Sequence, residues 1–233
     1  EMKTLDAISK QLSGKKTLSN EDRARTQRRL LENYFDIRMF GAVLSTGINA
    51  GQVRGPVQLT FAKSVDPIFR NDVPITRKAV TKEEDKKRKE TEMARKPIVH
   101  YALYVAHGFY NPYFALETKK SSDEPEIFKI SEEDLANLWE ALEWMFNNDT
   151  AAARGKMATR GLYVFTHDNN KRGNTPSHKL FDRIKIRLKD EKLQKDEPAR
   201  QFCDYQIDID EKGLSEIRVS LTKLVDDRKD CNV

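Results

Sequence analysis

Few residues in this chain have the types and spacing of a catalytic centre. A zinc-binding helix would show HExxH and a serine hydrolase would show GxSxG, and neither pattern occurs. The two cysteines, Cys203 and Cys231, lie far apart and match no CxxC pattern, which predicts neither a disulfide framework nor a zinc site. The histidines, each predicted to be structural, are His100, His107, His167 and His178. We therefore expect no metal, no cofactor and no catalytic group.

Basic side chains are concentrated in two segments, where they could bind a polyanion. The whole chain of 233 residues carries a net charge of +5. Residues 37–63 contain three basic residues and no acid, and residues 151–183 contain seven basic residues against two acids. The intervening residues 117–149 hold ten acids against three lysines. Charge segregated in this way is typical of a nucleic-acid-binding surface, although solvated faces would produce the same counts.

A glycine-rich stretch, residues 40–58, falls in the first basic segment. Glycines let backbone N–H groups approach phosphate closely, and the side chains of Gln52 and Arg54 could add contacts to phosphate or ribose. The stretch is neither a P-loop nor a dinucleotide-binding fingerprint, because it lacks GKS, GKT and GxGxxG. Taken alone, the pattern is also typical of an ordinary loop.

Two helices that would support these segments begin at capping boxes, in which a serine is followed three residues later by an acid. The first helix follows Ser19 and is predicted to end near Asn33. The second follows Ser131, and its apolar residues recur at helical spacing, which predicts that they face the core. These core residues are Leu135, Leu138, Trp139, Leu142, Met145 and Phe146.

Alternating or β-forming residues predict five strands. They are Val57–Phe61, Ile98–Phe109, Leu162–Phe165, Ile184–Leu188 and Tyr205–Ile209, of which the second would be a long central strand. The order of helices and strands predicts an α+β fold with an antiparallel sheet, formed by residues 1–233 as one domain.

An aromatic cluster lies in and after the long predicted strand. Its members are Tyr101, Tyr104, Phe109, Tyr110, Tyr113 and Phe114. Most of these rings are predicted to lie in the core, and one or two could stack on unpaired bases.

Two charged segments interrupt the predicted strands. Residues 82–92 contain no apolar residue, so residues 70–96 are predicted to be either a solvated loop or a basic arm that orders on RNA. Residues 190–198 are predicted to be a charged connector, and the chain after Asp226 is predicted to be frayed.

Several motifs follow one another along the chain, beginning with YFDIRMFGAV at residues 34–43 and GQVRGPVQ at residues 51–58. Further motifs occur at residues 74–77, 101–109, 152–155 and 178–182. In sequence and in order, these motifs resemble the Cas-seven family in its type I-C (Csd-two) branch. The resemblance covers about residues 33–205. The family's amino-terminal strand and acidic turn are not found, and we expect them to precede Glu1.

The resemblance implies an RRM-like, or ferredoxin-like, antiparallel sheet with helices on one face and an extended basic insertion. It implies that copies of the chain polymerise along a CRISPR guide RNA (crRNA) beside other subunits of a Cascade surveillance complex in antiviral defence. The cysteine usage and the lack of an apolar run long enough to span a bilayer predict a cytoplasmic location. The guide bases would pair with target DNA while the protein holds the RNA backbone and performs no catalysis. Residues 70–96 are the candidate for the family's thumb-like insertion, which reaches towards the neighbouring copy.

Family position supports the predicted RNA contacts that lie in the motifs, and positive charge supports the basic ones. Arginine is favoured over lysine because it can hold phosphate through two parallel hydrogen bonds. The leading residues are Arg38, Gln52, Arg54, Arg77, Arg154, Lys156 and Arg160, followed by Lys171, Arg172, Asn174 and His178.

Two other functions are open at this point. One is a metal-dependent ribonuclease, because related backbone subunits of type III complexes cleave RNA with a loop aspartate, for which Asp36 and Asp66 are the candidates here. The other is a structural RNA-binding protein that acts outside CRISPR defence.

Overall fold

The computed structural model of the chain describes residues 19–45, 49–77, 92–114, 130–152, 154–169 and 172–232. Its helices are α1 (Asn20–Asn33), α2 (Phe35–Phe40), α3 (Glu132–Asn148), α4 (Ser177–Phe181) and α5 (Asp190–Gln194). Its strands are β1 (Gly41–Leu44), β2 (Gly51–Arg54), β3 (Val57–Leu59), β4 (Lys63–Ser64), β5 (Arg70–Arg77), β6 (Glu92–Val99), β7 (Tyr104–Val105), β8 (Gly108–Tyr110), β9 (Gly161–His167), β10 (Ile184–Leu188), β11 (Tyr205–Ile209) and β12 (Val219–Asp226). The described residues also form 3-10 turns at Pro112–Phe114, Phe202–Asp204 and Asp227–Asn232.

The chain folds into two compact units. The first comprises Glu1–Phe61, His107–Pro176 and Lys212–Asp226, and the second comprises Ala62–Ala106, Ser177–Glu211 and Asp227–Val233. Helices α1, α2 and α3 therefore belong to the first unit, together with β1, β2, β3, β8, β9 and β12.

Both predicted capping boxes are confirmed. The Ser19 hydroxyl accepts a hydrogen bond of 3.1 Å from the Asp22 amide, and the Asp22 carboxylate accepts one in return from the Ser19 amide. Ser131 and Asp134 make the same pair of bonds at the start of α3. Each box satisfies backbone donors that have no partner inside a helix, which explains why both helices begin where the sequence predicts.

Two apolar clusters form the core of the first unit. Leu30 of α1 packs with Leu44 and Ala50, and Met39 of α2 packs with Val57 and Leu138. The apolar stripe of α3 contributes Leu138, which is 2% exposed, while Leu135, Trp139 and Leu142 are partly buried against the same cluster. The predicted core position of Met145 is wrong, because that side chain is 41% exposed.

The glycine-rich stretch contains a β-hairpin where the sequence suggested a loop. Strands β1 and β2 pair antiparallel, with Gly41 opposite Arg54 and Leu44 opposite Gly51. The Gly51 amide donates to the Asn49 side chain, and the Ala50 amide donates to the Leu44 carbonyl, so the turn end of the ladder is held by short-range bonds. The strand predicted from Val57 ends at Leu59, and the Phe61 side chain is 94% exposed.

The long central strand predicted for Ile98–Phe109 is wrong. This run is divided among the end of β6, β7 and β8, which pair with β5, β4 and β3 respectively. The predicted burial of the aromatic cluster is also wrong, since Tyr104, Phe109, Tyr110, Tyr113 and Phe114 are each at least 37% exposed. An uncharged run indicates a buried central strand only when neighbouring elements cover its whole length. Here the run is divided among three short strand pairs, so many of its side chains stay exposed.

Strands β5 and β6 form a two-stranded antiparallel ladder in the second unit. Eight residues on each side pair antiparallel, from Arg70 opposite Val99 to Arg77 opposite Glu92. Most of their described side chains are exposed, including Met93 at 83%. The predicted basic segment 70–96 thus has a β-hairpin stem, and its charged residues 82–91 lie outside the described residues.

The second unit also contains a disulfide bond that the sequence did not predict. Cys203 and Cys231 are bonded, with a Cα–Cα distance of 5.3 Å and a sequence separation of 28. The bond joins the turn Phe202–Asp204 to the turn Asp227–Asn232, so the frayed end predicted after Asp226 is wrong as far as Asn232. No local spacing could reveal this pair, because its two turns meet only in the folded chain.

The described strands make an α+β protein whose ladders are all antiparallel. They form six two-stranded ladders, including β9 with β12 and β10 with β11. The strands predicted at Leu162–Phe165, Ile184–Leu188 and Tyr205–Ile209 are observed, the last two with the predicted bounds. The charged connector 190–198 begins with α5. Within the described ranges, no helix is both long and apolar enough to cross a membrane.

Candidate nucleic-acid interface

Gly41 and Gly55 bring two segments of the first unit into direct backbone contact. Gly41 follows α2 with a φ of 80°, a conformation that favours glycine. A Cβ atom on Gly41 would lie 2.4 Å from the Val53 carbonyl oxygen, and one on Gly55 would lie 2.4 Å from the Met39 carbonyl oxygen. These two glycines therefore allow the chain to pack against itself and place β2 directly beside the end of α2.

The outward side chains of β1 and β2 form an exposed surface, which we call the hairpin face; it consists of Val43, Gln52 and Arg54. Val43 lies opposite Gln52 in the ladder, and Arg54 is two residues from Gln52 on the same side of β2. The alternate residues Ala42 and Val53 pack against the core cluster on the other side. Two predicted RNA contacts, Gln52 and Arg54, are thus brought together on one exposed surface.

Arg54 is held by an aromatic ring. Its Cζ atom lies 4.4 Å from the centroid of Phe114, within the range of a cation–π interaction. Across the described residues, the Arg54 guanidinium makes no hydrogen bond or ion pair. Five other described arginines are each paired with a carboxylate: Arg38, Arg70, Arg154, Arg183 and Arg187. The Arg54 charge is therefore available to an external anion.

Arg38, another predicted RNA contact, is directed into the first unit. Its NH2 group donates to the Asp134 carboxylate at 2.6 Å and its NH1 group donates to the Leu31 carbonyl at 2.8 Å. The two side chains are 15% and 11% exposed. Burial raises the pKa of the Asp134 carboxyl, but hydrogen bonds from Arg38 and Ser131 outweigh it, and the net pKa is below its ordinary value. Arg38 thus has a structural partner, and its RNA contact stays a prediction.

The basic residues after α3 have different surroundings. Arg154 is ion-paired with Asp149, whose carbonyl also accepts a hydrogen bond of 3.1 Å from it. Lys156 is exposed, and Arg160 is half-buried just before β9. The structure gives no common ligand geometry for these three residues, and their RNA contacts stay predictions.

Asn174 stabilises its own loop through hydrogen bonds. Its side-chain amide donates to Asp168 at 2.7 Å and accepts from the Asn169 amide, and its backbone amide donates to Nδ1 of His167 at 3.0 Å. Gly173, with a φ of 71°, lies against the His167 ring. This loop presents the exposed Arg172, while Lys171 lies outside the described residues. Asn174 therefore shapes the loop that carries the predicted basic contacts.

Two predicted contacts belong to the second unit. Arg77 is the last residue of β5, and its backbone pairs with Glu92, but its side chain lies outside the described structure. His178 is exposed on α4. Neither residue is placed beside another predicted contact by any described interaction.

The two aspartates of the ribonuclease hypothesis belong to different units. Asp36 is exposed in the first turn of α2. Asp66 accepts a hydrogen bond from the Tyr205 hydroxyl, whose pKa is raised by burial and further by this bond and the Asp66 charge. Tyr205 is therefore a persistent donor, and Asp66 has a structural role. Among described residues, no three His, Cys, Asp or Glu side chains are grouped as a metal site requires.

Sequence reasoning missed the residues that support the predicted contacts. Phe114 was grouped with the other aromatic residues without a link to Arg54, and Asp134 was identified only as a helix cap. The available signal for Phe114 was the Asn-Pro pair at residues 111–112, which is typical of a turn. A turn predicts a bend in the chain but does not identify which side chain the bend brings into contact.

An exposed face that presents glutamine and an un-neutralised arginine can donate hydrogen bonds to a nucleic-acid backbone. The family described as CRISPR-associated protein Cas7 matches residues 2–210, and the chain belongs to this family. Its members bind guide RNA within a CRISPR complex, which indicates an RNA-binding backbone subunit. Among curated proteins, none matches the chain.

Proposed function

We propose that this chain is a noncatalytic, cytoplasmic guide-RNA-binding subunit of a type I-C Cascade complex. Copies polymerise along the CRISPR RNA, beside other Cascade subunits, and present the spacer for pairing with target DNA. The core is RRM-like, and the β5–β6 hairpin is the stem of the thumb-like insertion. The protein holds the RNA backbone, so the bases remain free to specify the target.

The hairpin face carries this proposal. Gln52 and Arg54 project from the same side of β2, and Arg54 has no neutralising carboxylate among the described residues. An arginine in this position can donate two parallel hydrogen bonds to one phosphate, and a glutamine can contact phosphate or ribose. Contacts of this kind hold any sequence equally, as a guide-binding subunit requires.

RNA recovered with the protein tests the biological assignment. The chain would be expressed with its own CRISPR locus and purified, and the bound RNA would be sequenced. We expect repeat–spacer guides, in lengths that fit several copies of the protein. Bulk cellular RNA would instead favour a general RNA-binding protein. Guides transcribed from a CRISPR array that does not lie beside type I-C genes would contradict the type I-C assignment.

Substitution of Arg54 tests the site. We expect Arg54→Ala to weaken binding of different guide sequences by similar factors, and to reduce the salt dependence of log K by about 0.7 for each phosphate of single-stranded RNA that the variant no longer neutralises. Arg187→Ala is the matched control, because it removes the same charge from an arginine already bonded to Asp190 and Gln206. Equal losses from both variants would show that net charge, not this site, governs binding.

A further inference from the structure

We infer that Phe114 is a positioning residue for RNA binding, because its ring orients the Arg54 guanidinium towards a phosphate. This inference rests on the proposed function. Phe114 is 38% exposed, and its ring centroid lies 4.4 Å from the Arg54 Cζ atom. Phe114 lies outside the family-like motifs of this chain and follows the Tyr101–Phe109 motif by five residues.

The ring contact leaves the N–H donors of the Arg54 guanidinium available to the ligand. A guanidinium is planar, and all five of its N–H groups point outward in that plane. A cation–π contact adds no negative charge and no oxygen acceptor, so these donors can still bond to a phosphate. A carboxylate partner would occupy them, as Asp190 and Gln206 do for Arg187. Phe114 therefore restrains Arg54 without neutralising it.

Asn111 fixes the position of the ring. Its amide donates to the Pro56 carbonyl at 2.9 Å, which ties this turn to the residue two positions after Arg54. Its side chain accepts from the Tyr113 amide at 3.0 Å, and its carbonyl accepts from the Phe114 amide at 3.1 Å. Strand β8, just before this turn, pairs with β3, with Tyr110 opposite Val57. The backbone therefore brings Phe114 and Arg54 together before RNA binds.

Restraint of a long side chain before binding strengthens an interaction, because less conformational freedom is lost when the ligand arrives. Arginine has one of the largest side-chain entropies, so the gain from such restraint is correspondingly large. The expected contribution equals that of an exposed cation–π contact, which corresponds to about a two- to five-fold change in affinity.

A double-mutant cycle on the full-length protein tests this inference. The probe is a synthetic guide RNA of the sequence recovered with the protein, and affinities would be measured for the wild type, Arg54→Ala, Phe114→Leu and the double variant. We expect Phe114→Leu to weaken binding about two- to five-fold in the wild type and to have no effect in the Arg54→Ala background. Phe114→Tyr, which keeps an aromatic ring, should restore binding.

The matched control is Tyr113→Leu, which removes an aromatic side chain from the same turn. Tyr113 is 53% exposed and has no described contact with an arginine. We expect this variant to bind like the wild type and to show a similar thermal melting temperature. Loss of binding from both leucine variants would overturn the inference, since it would reflect damage to the turn.

The remaining outcomes separate this inference from the proposed function. If Arg54→Ala weakens binding but Phe114→Leu does not, only the positioning role is wrong. If Phe114→Leu weakens binding equally with and without Arg54, the ring acts independently and the inference is overturned. If Arg54→Ala binds as the wild type does, the proposed phosphate contact and the positioning role both fail.

Discussion

Arg38 and Asp134 show how a charged pair is kept largely inside the first unit. The pair joins α2 to the first turn of α3, and its carboxylate also accepts bonds in the Ser131 capping box. The carboxylate has a lowered pKa, so its contribution to stability is fully present above its unfolded pKa of about 3.9 and is lost as the pH falls through the folded pKa. Acid should therefore weaken this junction.

We expect Asp134→Asn to lower the free energy of unfolding by about 2 kcal/mol at neutral pH, because it leaves the Arg38 charge only 15% exposed and without its carboxylate. The same variant should lose less stability than the wild type on acidification below about pH 4. Urea unfolding across a pH series measures both effects.

Asp149→Asn is the matched control for this experiment. It breaks the ion pair with Arg154, whose side chain is 45% exposed, and should cost less than about 1 kcal/mol. An equal effect of the two substitutions would contradict a special role for the Arg38–Asp134 pair.

The hairpin face depends on Gly55, because the backbone packs too closely there for a side chain. We expect Gly55→Ala to lower the free energy of unfolding by about 3 kcal/mol, because the new methyl group would overlap the Met39 carbonyl oxygen and the Gly41 amide. Gly155→Ala is the control: nothing lies within 4 Å of its added Cβ, and its φ of 64° should cost only about 1 kcal/mol. A smaller loss from Gly55→Ala than from Gly155→Ala would show that the backbone crossing relaxes easily.

At the scale of elements, the β5–β6 hairpin can change without affecting a buried core. None of its described side chains is fully buried. Proline occurs in both strands, at Pro74 opposite Arg95 and at Pro97 opposite Asp72. Proline has no N–H group to donate, so neither position can offer a backbone donor to a further strand. Prolines in both strands therefore oppose pairing of the ladder with another strand.

We expect replacement of residues 82–92 by a short Gly/Ser linker to leave the thermal melting temperature nearly unchanged. Most described side chains of the stem are exposed, and surface loops tolerate such changes. The same variant should recover less guide RNA, because the proposed basic arm is gone. Melting and RNA copurification would be measured on one preparation. Collapse of the fold would identify the segment as structural, and undiminished recovery would identify it as a solvated loop.

At the scale of the whole molecule, we expect the purified assembly to bind matched RNA without cutting it. The hydrogen bond from Tyr205 gives Asp66 a structural role, which supports this expectation. Labelled RNA would be incubated with magnesium or manganese, and the wild type compared with Asp36→Asn and Asp66→Asn. The asparagine at residue 66 keeps an acceptor for Tyr205. Metal-dependent cleavage that either substitution abolishes would favour the ribonuclease.

Residues that are neighbours along the chain were predicted well. The capping boxes at Ser19 and Ser131 depend on side chains three residues apart, and both helices begin after them. Strands β10 and β11 alternate apolar and polar residues without a break and have the predicted bounds. The family motifs are also local, and the family match over residues 2–210 confirmed the broader assignment. The helix starts, the alternating strands and the family motifs can be recognised without knowing the tertiary structure.

Only the tertiary structure decided which distant residues meet. Arg38 and Asp134 are 96 residues apart, Arg54 and Phe114 are 60 apart, and the disulfide joins residues 28 apart. Each pair depends on how turns and ladders route the chain, and no local pattern specifies that route. The sequence alone therefore determined the helix starts, the alternating strands and the family. Long-range packing decided whether a given arginine is neutralised inside a unit or left available to a ligand. The outcome depends on whether the folded chain places a carboxylate beside that arginine.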